Sequence, residues 1–385
     1  MGVLSKEIFD KHNDVNCDVF HIWTSSCWNA NFSTYFMWNV IVGSSRFLLR
    51  IYLLKMFLSI GKKDMKTIIL NFLVSEMRST MYSTAMGVLM LAAICSFRLI
   101  FGRIHYFTLL FLPGCVSGLS LLVESKSNQV LHSLLYFNLV IETILRKSKI
   151  SWEWETVIFM SVSGLLMHFL TNRHDKIDFI HFWFYTPPVK DGNCEKYLTT
   201  CSHDKTCPVF VYQGFWKYFV LGYGVSIIKK LLTRMGSIVK EPSTILRMCF
   251  NRSNLYFGSF IGSYVAINRM LSCYLPKTRM SETFHGLIAG LISGLTYAIS
   301  PNIHVLVIAI TTLLQISYNN ISKHLKITNH YWNRLVIYVL CQGYLIHHKF
   351  CYPKACAPYY SKMIDACTNN VTVDVCKHFI KTFSL

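Results

Sequence analysis

The residues able to do chemistry in this chain fall into three groups. The first is cysteine. Cys17 and Cys27 lie near the start, and Cys201-Ser-His203-Asp-Lys-Thr-Cys207 offers three soft ligand atoms within seven residues. Thiolates and imidazole are the donors that zinc selects. The same cysteines could instead pair as disulfides or stay reduced. No C-x-x-C occurs among the 14 Cys, so the spacing is not that of a zinc ribbon or a redox motif. The second group is ionisable or amide residues inside apolar runs: Arg98, Glu142, Arg269 and Gln315. Burying such groups in hydrocarbon is costly, which makes each a functional candidate. The plainer reading is a structural pair, and Glu142 has Arg146 one helical turn on. The third group is histidine at the ends of apolar runs, His168 and His347, which an enzyme acting on acyl chains could use as a base. There is no Walker A loop, nucleophile elbow, H-E-x-x-H or dinucleotide fingerprint. The chain is therefore expected not to be an enzyme and to need no cofactor, with no catalytic residue and no standard metal site assigned.

The elements that would position these groups are apolar helices. Of 385 residues, 52% are hydrophobic and 15% charged, and the mean hydropathy is +0.37. A soluble domain carries roughly 25% charged residues. The net charge is nonetheless +19, from 38 Lys+Arg against 19 Asp+Glu. Apolar runs joined by basic junctions fit a membrane protein, whereas a nucleic-acid binder would not need the runs. Ten stretches approach the roughly 20 residues a span requires. They cover 34–58, 80–101, 106–123, 129–145 and 154–171, then 209–232, 255–275, 284–300, 302–318 and 331–348. The first carries Arg46, Arg50 and Lys55, each costing about 2.5–3.5 kcal/mol at a bilayer centre. Lys62-Lys63, Arg146-Lys147 and Lys229-Lys230 read as loops or snorkelling ends. The N-terminus lacks an apolar run before its charges, so any address is expected to be internal.

The stretches repeat in order. Gly114-Cys-Val-Ser-Gly118-Leu-Ser returns as Gly290-Leu-Ile-Ser-Gly294-Leu-Thr, and Arg78-Ser79 with Tyr82 returns as Arg252-Ser253 with Tyr256. Trp154, Gly164 and His168 find counterparts in Trp332, Gly343 and His347. The expected fold is all-α: a polytopic membrane helix bundle of two sequence-related halves with about eight to ten spans. The expected segments are 1–33, an N-terminal Cys-containing segment; 34–171, the first membrane repeat; and 172–206, a polar Cys-containing linker. The second repeat then covers 207–348, and a Cys-rich tail covers 349–385. Five spans per half would make the repeat inverted, and inverted repeats place binding sites at their midplane. Glycines at four-residue spacing, Gly114 and Gly118, Gly258 and Gly262, and Gly286, Gly290 and Gly294, mark faces where helices pack closely.

Several of these motifs resemble the transmembrane protein 135 family. His21-Ile-Trp23-Thr-Ser-Ser26-Cys27 resembles the H-x-W-x-x-S-C of its N-terminal cysteine-rich region. Val123-Glu124-Ser-Lys126-Ser and Glu142-Thr143-Ile-Leu-Arg146 resemble its E-x-K-S and E-T-x-x-R runs. Leu255-Tyr-Phe-Gly258-Ser-Phe-Ile-Gly262 and His285-Gly-Leu-Ile-Ala-Gly290 carry the likeness into the second half. Gln315 stands where that family tends to keep a second Glu-Thr pair. The later glycine-rich part is more distantly similar to the channel family of mitochondrial inner-membrane translocases. The resemblance implies a non-enzymatic multi-pass protein of peroxisomal membranes, with mitochondrial membranes as a second location. It implies roles in organelle dynamics, including fission, and in fatty-acid or sterol homeostasis. Its partners would be the bilayer, a lipid or sterol cargo and fission factors, with no nucleic acid.

Overall fold

The computed structural model describes residues 17–57, 59, 64–103, 105–172, 183–186, 203, 206–233, 241, 243–278, 280–325 and 330–383. Every regular element among them is helical. In order these are α1 (Cys27–Phe32), α2 (Thr34–Phe57), α3 (Met65–Phe101), α4 (Tyr106–Leu109), α5 (Phe111–Gly118), α6 (Lys126–Ser148) and α7 (Trp152–Thr171). They continue with α8 (Cys207–Thr233), α9 (Thr244–Cys249), α10 (Arg252–Tyr274), α11 (Glu282–Gly294), α12 (Ile303–His324), α13 (His330–Cys351), α14 (Pro358–Cys367) and α15 (Val371–Thr382).

Helix ends follow local chemistry. At the start of α6, Ser125 accepts from the Asn128 amide, and Asn251 caps α10 through Ser253 N. Gly102, at φ 69°, ends α3 in the left-handed region that glycine enters without a Cβ penalty. Pro113 has no N–H to give the Leu109 carbonyl, and its ring crowds that oxygen, so α4 and α5 are separate pieces. The apolar run 106–123 is thus broken twice, closing in a 3₁₀ turn at Leu119–Val123. The run 284–300 closes in the same way, with a 3₁₀ turn at Leu295–Ile299 after α11.

Among the described residues, four segments could cross a bilayer by length and composition: Met65–Phe101, Tyr106–Val123, Trp152–Thr171 and Ile303–Ser322. At 1.5 Å per residue α3 is about 55 Å long, well beyond the roughly 30 Å of a hydrocarbon core. The other expected runs are helices too, but more polar. Those helices include α2 with Arg46 and Arg50, and α10 with Asn254 and Asn268 buried in its interior face.

The helices gather into two compact units, 1–149 with 327–385 and 150–326. These units cut across the two halves of the sequence. The last helix of the first half, α7, belongs with α8–α12, and α13 belongs with α1–α6. In the first unit α13 lies on α5, and a Cβ added to Gly114 would fall 2.8 Å from the Gly343 Cα. In the second, α7 lies on α11, and a Cβ on Gly290 would fall 2.8 Å from the Gly164 Cα. Gly118 faces Val339 in the same manner, while Gly286 and Gly294 face Met167 and Met160. Gly258 and Gly262 let α10 approach Phe219 and Phe215 of α8.

Two apolar clusters fill the first unit. One joins Phe20, Phe36, Ile94, Leu110, Phe350 and Phe379. The other joins Tyr82, Leu121, Tyr136, Tyr338 and Tyr360. In the second unit Phe159 stacks on Tyr297 at 4.6 Å. Tyr264 shares the Ser163 hydroxyl with the Gly290 carbonyl, at 2.7 and 2.8 Å.

Candidate functional site

The first unit holds three polar constellations. The first centres on Glu124, which follows the Leu119–Val123 turn and is 4% exposed. Its carboxylate accepts from the Ser79 hydroxyl of α3. It also accepts from Asn128 Nδ2 at 3.0 Å and the Ser125 amide at 3.1 Å, and faces His132 Nε2 at 3.6 Å. Ser79 in turn meets the Tyr52 hydroxyl of α2 at 2.6 Å. Burial works to raise the Glu124 carboxyl, but bonds from His132, Ser79 and Asn128 prevail and hold it at about 2. Glu124 is therefore an anionic knot between α2, α3 and α6. Glu142 and Thr143 lie on the same helix further along. Glu142 takes Arg146 Nε at 2.8 Å, and the Thr143 hydroxyl accepts the Ala357 amide at 3.1 Å, so α6 also anchors the tail.

The second constellation is a cleft of about 280 Å³ beside this knot. Leu121, Val130 and Leu335 line it together with Tyr331, and Lys126 and Arg334 bring two cations to its wall. Lys126, the first residue of α6, is exposed.

The third is the cysteine pocket. Cys17 Sγ lies 3.0 Å from Cys27 Sγ, and Cys27 Sγ lies 3.6 Å from His21 Nε2. Cys95 of α3 completes the group, with all four ligand atoms within 4.8 Å of one another. Contact with the Cys95 thiol and then with His21 draws the Cys17 thiol down to about 4, a thiolate at neutral pH. Around it, Trp23 stacks on Phe36 at 5.3 Å and donates to the Ala30 carbonyl, while the Ser26 hydroxyl caps α1.

The remaining sequence candidates fall elsewhere. In the second unit His203, Cys207 and Cys273 converge, and His203 Nε2 is 3.3 Å from Cys273 Sγ. Cys201 and the Lys62-Lys63 pair lie outside the described residues. Arg98 Nη1 reaches the Gly102 carbonyl at 2.5 Å, closing the end of α3. Arg269 bonds the Phe210 carbonyl at 2.9 Å and sits over that ring at 4.2 Å. Gln315 is half-buried on α12, in the other unit from Glu142. The two histidines proposed as bases lie in different units. His168 Nδ1 meets the Thr283 carbonyl at 2.9 Å, and His347 packs edge-on against Tyr106. Spacing gave no sign of Cys95, 68 residues from Cys27 in the middle of an apolar helix, nor of the Ser79 bond to Glu124.

Residues 14–149 match the family model described as the N-terminal cysteine-rich region of Transmembrane protein 135. Over those residues, about a third of its length, the chain is similar to the transmembrane protein 135 family. No solved structure matches the chain. The matched region contains His21, Trp23, Ser26, Cys27, Glu124, Lys126, Glu142, Thr143 and Arg146, and it ends where the first segment of the first unit ends. That similarity and the four long apolar segments support a multi-pass membrane protein.

Proposed function

We propose that this chain is a non-enzymatic protein of peroxisomal membranes, and of mitochondrial membranes as well, that moves a lipid through its helix bundle. In this reading the transport sustains fatty-acid or sterol homeostasis and, through membrane composition, organelle fission. The observation that carries it is the cleft between α6 and α13. Two cations beside an apolar floor suit an amphiphile with an anionic head, such as a fatty-acid carboxylate. At about 280 Å³ the cleft holds a head group and the first carbons, leaving the rest of the chain to the bilayer. The exposed apolar side chains of α3, including Leu70, Met77, Leu99 and Ile100, support a lipid-facing surface. The duplicated Gly-x-x-Ser-Gly turns, each closed by a helix from the other half of the sequence, support an ancestral internal repeat.

The competing reading is a scaffold that recruits fission factors through basic loops. Of the cations Lys62, Lys63, Arg146 and Lys147 that such loops would offer, Arg146 pairs with Glu142, and Lys147 lies 4.2 Å over the Tyr352 ring. The test is uptake of labelled fatty acid by isolated organelles with and without the protein, and with Lys126→Glu and Arg334→Glu. Uptake that rises with the protein and falls in the variants supports the reading. Equal uptake in all four preparations removes it.

A further inference from the structure

We propose that Cys17, His21, Cys27 and Cys95 bind one zinc ion, which staples the N-terminal segment to α3. Four side chains from three separate places converge here. Cys17 sits in a 3₁₀ turn (Cys17–Val19), His21 follows it, Cys27 opens α1, and Cys95 comes from the long helix α3. A tetrahedral zinc site with Zn–S of about 2.3 Å and Zn–N of about 2.0–2.1 Å places its ligand atoms about 3.5–3.8 Å apart. The Cys27–His21 separation of 3.6 Å falls within that range, the Cys17–Cys27 separation of 3.0 Å is shorter, and all four ligand atoms lie within 4.8 Å of one another. Small side-chain movements would seat an ion.

The orientation of His21 argues most strongly for a metal. Its Nδ1 lies 2.7 Å from the Thr24 carbonyl. A carbonyl oxygen can only accept, so Nδ1 carries a proton. In the neutral ring the Nε2 lone pair then points at the thiols. Protein metal sites hold their histidines in this way, with the far nitrogen fixed on a carbonyl or carboxylate. The ring is 1% exposed, so solvent does not explain the arrangement.

A disulfide is the competing use of these thiols. It needs sulfurs about 2.03–2.05 Å apart and would engage only two of the four groups. His21 and Cys95 would remain turned inward with no role. Zinc uses all four. Three thiolates and one imidazole make a closed, structural coordination sphere with no open position for substrate. Each thiol that ligates gives up its proton, so the ion binds the folded pocket and stabilises it. The inference stands apart from lipid transport, because the pocket and the cleft share no residue.

The experiment is metal analysis by mass spectrometry of the full-length protein, purified in detergent without chelator. About one zinc per chain is expected in the wild type and in Cys249→Ser, and close to none in Cys27→Ser and Cys95→Ser. Should those variants aggregate, wild-type protein grown on cobalt provides the second readout. A tetrahedral thiolate site gives intense visible absorption, which added zinc should abolish. Metal content unchanged by Cys27→Ser and Cys95→Ser would overturn the proposal. So would metal-free protein in which Cys17 and Cys27 resist alkylation until reduced.

Discussion

The Ser79 hydroxyl of α3 donates to the Glu124 carboxylate, joining two buried groups 45 residues apart. The carboxylate would not be tolerated there alone, because a buried charge needs partners that replace its water. Ser79→Ala removes one donor and leaves the others. A loss of about 1.5–3 kcal/mol is expected, the range for a hydrogen bond to a charged group. It should be visible as a lower thermal midpoint in detergent.

Glu124 also predicts a pH response. Its folded carboxyl titrates at about 2, below its ordinary value of 4.5. A depressed carboxyl contributes stability that is fully present above 4.5 and is lost as pH falls toward 2. Wild-type protein should therefore lose thermal stability between pH 5 and pH 3 more steeply than Glu124→Gln, which has no charge to neutralise. Parallel profiles would show that Glu124 does not set the acid limit.

The glycine contacts make a paired prediction. A Cβ on Gly343 would fall 2.7 Å from the Phe111 carbonyl, whereas one on Gly224 meets nothing within 4 Å. Gly343→Ala should cost roughly 1–3 kcal/mol through overpacking. Gly224→Ala should be neutral or stabilise by up to about 1 kcal/mol, since alanine is the better helix former. Unfolding midpoints of both variants would check this in one assay.

Thr143 holds the tail through the Ala357 amide. Thr143→Val keeps the shape and removes the acceptor, stranding a buried N–H at a cost of about 1–3 kcal/mol. Limited proteolysis should then cut between α13 and α14 sooner than in the wild type, while cleavage elsewhere is unchanged.

Asn31 lies in an N-x-S acceptor, but it is 7% exposed and its Nδ2 donates to the Cys27 carbonyl at 3.2 Å. It should stay unmodified in folded protein whatever the compartment. A glycosidase mobility shift would have to come from Asn251, Asn320 or Asn370. Imaging against peroxisomal, mitochondrial and ER markers on the same sample tests the location.

Much of the helix inventory was legible because apolar runs of about 20 residues have few other uses. The glycine faces were legible because four-residue spacing puts small residues on one side of a helix. The breaks inside 106–123 and 284–300 were not expected, since both turns are as apolar as the helices they interrupt. The partner of Arg98 was not legible either, for a different reason. A charge three residues from a helix end can reach past it to a carbonyl, and composition does not show reach. The cysteine pocket was half legible. Cys17 and Cys27 stood out by spacing, but Cys95 joins them only through tertiary packing. Which helices share a unit was not legible, because the expected repeat groups α13 with α8–α12 and the packing does not.

That exchange of final helices sets an order of assembly. The second unit, 150–326, is continuous in sequence and can close as soon as it has been made. The first unit waits for residues 327–385, although its own opening segment leaves the ribosome first. At translation rates of about 5–20 residues per second the delay is on the order of tens of seconds. During it the Gly114 groove has no α13 to fill it. A chaperone or insertase that shields this groove would act on the nascent first unit, and the newly made protein should be most vulnerable to quality-control proteases in that interval.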